Sequence, residues 1–242
     1  MDDKKKVSME RIIVVTGSSK GVGRAVAKTL VKIHGCTVIG VSRDREGLAS
    51  LKEEFDMSSG VFESLTVDLA AASGIEQVVA QAKGRRLHGL VNNAGLLIKR
   101  EWGAWQAEDL QRLFHLNATV PLLLSQVLSP LLAGDPPGHI VNIGSMGGFQ
   151  GSVKFPGLAG YSASKCAAAN ITECMAEELK DRHVRCNCLC LGAVDTAMLR
   201  VAFPGYQAPV GPEEMGEYIA RFVLEGHKLF NGKVLPLALS TP

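Results

Sequence analysis

The sequence predicts a single-domain α/β protein in which helices cover both faces of one parallel β-sheet. Short apolar runs alternate with longer amphipathic runs from Arg11 onwards, which is the pattern of parallel strands joined by crossover helices. The apolar runs lack clean apolar/polar alternation, which indicates strands buried on both faces. Of the 242 residues, 46% are hydrophobic and 21% are charged. This balance supports one compact domain over residues 1–242.

Seven strands follow from the apolar runs, which are short and rich in β-branched residues. In chain order they are RIIVV (11–15), TVIGVS (37–42), FESLTV (62–67), GLVNN (89–93), HIVNIG (139–144), VRCNCLC (184–190) and KVLPLAL (233–239). Because helical stretches separate successive strands, we expect all seven to lie in one parallel sheet.

Six helices are predicted where apolar residues recur every three or four positions. They cover residues 23–34, 45–55, 73–83, 107–132, 161–182 and 212–225. The fifth shows the spacing most clearly, since Ala168, Ile171, Met175 and Leu179 form an apolar stripe. No linker, low-complexity segment or repeat beyond the strand–helix alternation divides the chain.

The charge pattern argues against two classes of function. The formal net charge is +2, and the basic residues are scattered apart from Lys4, Lys5 and Lys6, which argues against a nucleic-acid surface. No run approaches the roughly 18 uncharged apolar residues that a membrane-spanning helix needs. We therefore expect a cytoplasmic protein that binds neither nucleic acid nor membrane.

The chain has six cysteines and six histidines. Cys186, Cys188 and Cys190 alternate within the sixth predicted strand and could hold a metal, but small residues in a buried core are the stronger interpretation. The histidines show no HExxH or mixed His/Cys ligand spacing. We predict no metal and no disulfide framework.

A glycine-rich turn, TGSSKGVG (16–23), lies between the first strand and the first helix. Glycine allows close approach of a pyrophosphate, and the free amides and dipole at a helix start favour an anion. This order of elements predicts a dinucleotide site. A tight turn without a ligand is the alternative when the glycine spacing is taken alone.

The spacing Gly-x-x-x-Gly-x-Gly resembles the Thr-Gly-x-x-x-Gly-x-Gly signature of the classical short-chain dehydrogenase/reductase family. Further landmarks of that family occur in the same order and extend the resemblance over essentially the whole chain. They are Asp68 after the third strand, Asn92-Asn93-Ala94-Gly95 after the fourth, Asn117 in the fourth helix, Ser145 after the fifth strand, and Tyr161-Ser162-Ala163-Ser164-Lys165. Taken alone, each of these landmarks has an ordinary structural explanation. Together they imply a Rossmann-type doubly wound sheet with a nicotinamide cofactor.

The resemblance also implies which residues meet the cofactor. They are Gly17, Ser19, Gly21, Val22 and Gly23 around the phosphates, Asp68 and Leu69 at the adenine, Asn93, Ala94 and Gly95 on the adenosine side, and Gly192, Val194 and Thr196 near the nicotinamide. The family usually shows Pro-Gly after the sixth strand, where this chain has Leu191-Gly192. Leucine restores an amide and removes the fixed φ of proline, so we expect a looser turn there.

Tyr161 and Lys165 are four residues apart, so they share one face of a helix. A nearby ammonium stabilises phenolate, and we expect it to move the tyrosine pKa from about 10 towards neutrality. A surface tyrosine beside a solvated lysine is the alternative for an isolated pair.

The resemblance implies a reaction in which Tyr161 exchanges a proton with a carbonyl oxygen that Ser145 orients. Lys165 also binds the nicotinamide ribose, and Asn117 holds a water in a proton relay. The plain interpretation of Ser145 is a turn residue at the end of a strand, and that of Asn117 is a residue in the interior of a helix.

The end of the second strand predicts the cofactor. An NAD enzyme usually carries an acid there for the ribose hydroxyls, whereas this chain has Ser42-Arg43. Arg43 and Lys20 suit the 2′-phosphate of NADP(H), so we expect NADP(H) to be preferred over NAD(H). The alternative is that both residues are solvated surface cations, and the acidic Asp44 close by counts against the preference for NADP(H).

Two segments are candidates for contact with a substrate. The segment 146–160 carries Phe149, Phe155 and Leu158, which form either a substrate wall or an interaction surface. The resemblance implies a lid between the sixth strand and the last helix, over residues 197–211, and its two prolines argue against one long helix. With few anchoring partners, this lid should be mobile until ligands bind.

The leading hypothesis is NADP(H)-dependent interconversion of a ketone or aldehyde and an alcohol by hydride transfer. A sensor or scaffold that binds NADP(H) without turnover is the alternative. By resemblance we expect a homodimer or homotetramer, with the long helices from Ala107 and Tyr161 as contact surfaces.

Overall fold

The computed structural model describes residues 10–55 and 59–239. Seven strands form one parallel sheet in the order β3-β2-β1-β4-β5-β6-β7. The strands are β1 (Ile12–Thr16), β2 (Thr37–Ser42), β3 (Val61–Thr66), β4 (Gly89–Asn92), β5 (Gly138–Ser145), β6 (Val184–Leu191) and β7 (Lys233–Leu237). All seven predicted strands and the single parallel sheet are confirmed.

The helices cover both faces of the sheet. They are α1 (Gly21–Lys32), α2 (Arg45–Glu53), α3 (Gly74–Ala82), α4 (Ala107–Phe114), α5 (Val120–Leu132), α6 (Ala159–Glu178), α7 (Ala197–Ala202) and α8 (Pro212–Glu225). Successive residues of β1 point to opposite faces: Ile13 packs with residues of α1, α2 and α8, whereas Ile12 packs with residues of α3, α5 and α6. Both faces are therefore buried, which explains why the strands lack polar alternation.

The predicted helix 107–132 is interrupted. A π-helical turn at His115–Thr119 separates α4 from α5, and the Val120 amide donates to the His115 carbonyl. Pro121 has no amide hydrogen, so it cannot donate the α-helical bond to the carbonyl of Asn117. The π-helical turn accommodates this missing donor and places Asn117 at the break.

A buried chain of hydrogen bonds joins the sheet to the helices below the carboxyl ends of the strands. The Asn92 side chain donates to Ser125 (3.1 Å) and to Asn142 Oδ1 (2.8 Å). Asn142 donates in turn to Thr172 of α6 at 2.7 Å. Because buried polar groups are costly when unpaired, this chain fixes how α5 and α6 sit against β4 and β5.

The described residues include no helix that is long and apolar enough to cross a membrane. They also contain no group of three or more His, Cys, Asp or Glu side chains placed to hold a metal ion. Cys186, Cys188 and Cys190 are fully buried in β6, as predicted for core residues.

Candidate active site

The glycine turn and the segment after β4 meet where the strand order reverses, between β1 and β4. Ligands of doubly wound sheets bind in this crevice at the carboxyl ends of the strands. A Cβ on Gly17, whose φ is +67°, would lie 2.9 Å from Cα of Ala94. A Cβ on Gly23 would lie 2.3 Å from the Gly17 carbonyl oxygen. Both positions therefore need glycine.

Thr16 and Asn93 brace this turn. Thr16 Oγ1 accepts hydrogen bonds from the amides of Asn93 and Ala94, each at 3.0 Å. The Asn93 side chain donates to the carbonyls of Thr16 (3.0 Å) and Gly17 (3.2 Å). The side-chain amide nitrogen of Asn93 thus holds the turn. Sequence reasoning missed Thr16, whose only signal was its place before Gly17.

The start of α1 is suited to an anion. No side chain of the described residues caps this helix, and its first turn carries no acid. Gly21 has φ +58°, and the methyl group of Thr196 lies 3.5 Å from where its Cβ would be. Buried Ser19 accepts a hydrogen bond from Ser42 at 3.0 Å. The glycine turn therefore presents uncapped amides of the kind that bind phosphate.

Two cations flank the turn. Lys20 and Arg43 are exposed, and neither side chain forms a hydrogen bond or an ion pair with any residue in the described ranges. The Asp44 carboxylate caps α2 by accepting from the Gly47 amide at 3.0 Å and forms no ion pair with either cation within the described residues. The residues present therefore fit a phosphorylated dinucleotide.

Several predicted contact residues can offer only backbone. The side chains of Val22, Leu69 and Val194 are buried in the core. Asp68 is exposed at the end of β3, and its carboxylate accepts from the Ala70 amide at 2.9 Å. Asp68 is thus the member of this group whose side chain reaches the crevice edge.

The expected loosening after β6 does not occur. Leu191 continues the strand and pairs with Ser145 of β5 and Leu237 of β7. The Gly192 amide then donates to the Leu237 carbonyl at 2.8 Å. Leucine is compatible with this strand pairing, so hydrogen bonds to β7 fix the backbone where the turn begins.

Ser145, Tyr161 and Lys165 meet at the carboxyl end of β5. Ser145 is the last residue of β5 and Tyr161 lies in the first turn of α6, and the Ser145 side chain is close enough to lower the pKa of the Tyr161 phenol. Lys165 follows one turn later, is 5% exposed, and donates from Nζ to the Ile143 carbonyl at 2.8 Å. The predicted constellation of hydroxyl, phenol and ammonium is thus assembled.

The pKa values of the pair differ from the expectation. Burial raises the pKa of Tyr161 above its ordinary range, and the hydrogen bond from Ser145 offsets this only in part. Burial lowers the pKa of Lys165 to about 8. The expected lowering of the Tyr161 pKa by Lys165 is not found in this arrangement, because burial disfavours the phenolate and Lys165 is not among the groups that shift this pKa.

Asn117 connects the segment after β4 to α6. Its side chain accepts from the Leu96 amide and donates to the Leu96 carbonyl, both at 2.8 Å, and it donates to Ser164 at 2.9 Å. A Cβ on Gly95 would lie 3.2 Å from Asn117 Oδ1 and 3.4 Å from Lys165 Nζ. Asn117 therefore fixes Gly95 and Leu96 close to Lys165.

The lid segment has more anchors than expected. Lys99 donates to the Ala202 carbonyl at 2.8 Å and lies 5.4 Å from the centre of the Phe203 ring. Phe203 also packs edge-on against Phe155 at 5.3 Å. The expectation of few anchoring partners is therefore wrong. The contact with Lys99 was overlooked because Lys99 is too distant from the lid in the chain to be recognised from the sequence. The predicted absence of one long helix is confirmed, since α7 has six residues.

The three apolar residues of the predicted substrate wall have different surroundings. Phe149 packs against the core cluster of Ala169, Cys188 and Cys190. Leu158 is buried. Phe155 instead lines an open cleft together with Phe203, so it is the member of the wall available to a ligand.

Comparison with known proteins agrees with this geometry. The sequence model of the short chain dehydrogenase family matches residues 11–207. The chain is 28% identical over 190 residues to 3-oxoacyl-[acyl-carrier-protein] reductase FabG of Thermotoga maritima, covering 78% of this chain and 76% of the relative. It is 31% identical over 217 residues to benzil reductase IRC24 of Saccharomyces cerevisiae, covering 86% and 79%.

A solved structure shows the same likeness. The Pseudomonas aeruginosa RhlG/NADP active-site complex superimposes with a TM-score of 0.82 at 26% identity over 94% of each chain. The fold, the family match over most of the chain and the assembled Ser145, Tyr161 and Lys165 lead to one assignment. This chain belongs to the short chain dehydrogenase family and is an oxidoreductase.

Proposed function

We propose that this protein interconverts a ketone or aldehyde and the corresponding alcohol with NADP(H), using Tyr161 as the general acid and base. The observation that carries this proposal is the meeting of Ser145, at the end of β5, with Tyr161 of α6, where Ser145 lowers the pKa of the phenol as a nearby hydrogen-bond donor does, and with the buried side chain of Lys165 one helical turn away. A carbonyl oxygen placed between the two hydroxyls would accept a hydrogen bond from each. This is the arrangement that acid–base catalysis at a carbonyl needs.

In the direction of reduction, Tyr161 donates its proton to the carbonyl oxygen, and Ser145 orients that oxygen. NADPH, when bound, supplies the hydride. The raised pKa of Tyr161 keeps its proton in place until the oxygen gains negative charge. Lys165 stabilises the phenolate that remains and, on the family pattern, binds the nicotinamide ribose.

Asn117 is proposed to support proton supply through its backbone. Its side chain is occupied by Leu96 and Ser164, whereas its carbonyl receives no α-helical bond from Pro121. That carbonyl is therefore the group suited to hold a water that returns a proton towards Lys165 and Tyr161.

The preference for NADP(H) over NAD(H) rests on Lys20 and Arg43, which are unpaired within the described residues and flank the glycine turn. A guanidinium and an ammonium are suited to the 2′-phosphate dianion. Asp44 accepts from the Gly47 amide at the start of α2 and forms no ion pair with either cation within the described residues, so both cations keep their donors for a phosphate. The NADP complex of the structural relative is in agreement.

We also propose an assembly, supported by surface features, and a location, supported by the state of the cysteines. Leu110 and Phe114 of α4 and Leu123 and Val127 of α5 form an exposed apolar stripe, which supports association into a homodimer or homotetramer. All six cysteines lie within the described residues and are free thiols, the state expected in a reducing compartment. A cytoplasmic location is proposed on that basis.

The test is NADPH oxidation over a panel of ketones and aldehydes, with wild type and Tyr161→Phe. The variant keeps the ring but loses the proton, so turnover should fall by about two to four orders of magnitude while NADPH binding survives. Unchanged turnover in Tyr161→Phe would exclude the proposed role. NADPH binding without oxidation by any carbonyl would instead favour a sensor or scaffold.

A further inference from the structure

A cleft of about 1020 Å³ opens beside the catalytic helix. It adjoins the catalytic centre at Ala159 and Ser162, two residues of α6 that lie on either side of Tyr161 in the sequence. Its walls come from the segment before α4, from the segment before α6 and from the lid. The lining residues that decide its chemistry are Lys99, Trp102, Trp105, Lys154, Phe155 and Phe203.

The walls are aromatic. Both tryptophans of the chain line the cleft, as do Phe155 and Phe203, whose rings pack edge-on. Trp102 is 92% exposed, so its ring is left in water although aromatic rings gain most from burial. Flat apolar groups would cover this surface by stacking or edge-on contact.

The cleft also carries uncompensated positive charge. Arg100 is neutralised by a two-fold hydrogen bond to Asp109. Lys99 bonds to the Ala202 carbonyl, and Lys154 bonds to the carbonyls of Phe149 and Ser152 and to the Ser152 hydroxyl. These acceptors are neutral, so they leave both ammonium charges in place.

Glu101 also lines the cleft and offsets one of these charges. The net charge of the cleft therefore favours an anion. Its volume is that of a site for a drug-sized ligand, since such pockets span about 300–1,000 Å³. A small ketone bound at Tyr161 would leave most of this space and its aromatic walls in contact with water.

We propose that this cleft binds the distal part of an extended aromatic carbonyl compound that carries a carboxylate or a similar anion. The reacting carbonyl lies at Tyr161, the rings lie between the tryptophans and Phe155, and the anion lies beside Lys154 and Lys99. This inference rests on the proposed function for the reaction, but the binding selectivity of the cleft is independent of turnover.

Tryptophan fluorescence provides that independent readout, because both tryptophans line the cleft. The probes are 4-benzoylbenzoate, its neutral methyl ester and the aliphatic anion 6-oxoheptanoate, with N-acetyltryptophanamide to correct for absorption. We expect saturable quenching in the order benzoylbenzoate, ester, oxoheptanoate. The anion should improve binding about threefold to fivefold over the ester, and the rings should improve it at least about tenfold over the aliphatic chain.

Two variants test the two parts of the inference. Trp102→Ala, at an exposed position that the fold does not need, should weaken benzoylbenzoate binding about fivefold and leave oxoheptanoate unchanged. Lys154→Met should remove the difference between the acid and its ester. Lys83→Met, an exposed lysine at the end of α3, is the matched control and should bind like wild type.

The outcomes separate this inference from the proposed function. Equal binding of aromatic and aliphatic probes, or equal binding of acid and ester in wild type, would overturn the inference even if small ketones are reduced. Selective binding of benzoylbenzoate without NADPH-dependent reduction of any carbonyl would confirm the selectivity of the cleft and overturn the proposed reaction.

Discussion

Lys165 holds a positive charge in a site that is almost closed to water. Its ammonium donates to the Ile143 carbonyl at 2.8 Å, and burial lowers its pKa to about 8. Tyr161 has the opposite shift, because burial raises the pKa of its phenol. Of the two groups, the lysine therefore loses its proton first as the pH rises.

This order of deprotonation predicts how kcat/KM for the reduction falls at alkaline pH. In the proposed mechanism, reduction needs protonated Tyr161 and charged Lys165, so kcat/KM should fall above about pH 8 as the lysine loses its charge. Lys165→Arg keeps the charge at any accessible pH, and its residual activity should lack this limb. The measurement is the pH profile of kcat/KM from about pH 6 to 10. A limb in Lys165→Arg at the wild-type pH would assign it to another group.

Arg43 predicts how the two nicotinamide cofactors are distinguished. Arg43→Ala should raise the Kd for NADPH about tenfold or more, since a hydrogen-bonded charge pair contributes about 1.5–3 kcal/mol. The Kd for NADH should change little, because NADH lacks the 2′-phosphate. Titration of both cofactors at matched salt checks this, with Arg45→Ala as the control on the neighbouring exposed arginine. Tighter binding of NADH than NADPH by wild type would contradict the preference itself.

At the scale of elements, the lid is held at its base and at its tip. Its base is closed by the bridge between Val194 and Val210 and by the bond from the Asp195 amide to the Val210 carbonyl at 2.9 Å. At its tip, Lys99 and Phe155 hold Phe203. The lid is therefore anchored to the rest of the protein at both its base and its tip.

The contacts of Lys99 with Ala202 and Phe203 predict that the lid opens more often when Lys99 is replaced. Lys99→Met keeps the length of the side chain but removes the bond to the Ala202 carbonyl and the charge over Phe203. Amide hydrogen exchange between residues 197 and 203 should then accelerate about tenfold, with the core strands unchanged. Lys83→Met serves as the control. Equal exchange in wild type and Lys99→Met would show that Lys99 does not hold the lid.

At the scale of the molecule, the number of the strands and their positions in the chain follow from the sequence, because burial on both faces imposes runs of apolar residues such as the one at Ile12–Val15. The glycine turn and the spacing of Tyr161 and Lys165 were equally readable, since each depends on neighbours within one turn. Contacts between distant segments, such as Lys99 with Ala202, leave no local pattern. The π-helical turn was missed because Pro121 also suits the first turn of a helix.

The surface of the whole molecule gives the last prediction, which concerns its assembly. The π-helical turn inserts one extra residue, so the exposed positions continue from Leu110 and Phe114 to Leu123 and Val127 along one stripe. Such a stripe costs free energy in water, and a second copy of the chain would cover it. Sedimentation equilibrium should therefore give the mass of a dimer or tetramer for wild type. Replacing both Leu123 and Val127 by glutamate should at least halve that mass while the circular dichroism spectrum is kept. Leu229→Glu, at an exposed leucine outside the stripe, should leave the mass unchanged, and a monomeric wild type would exclude the proposed association.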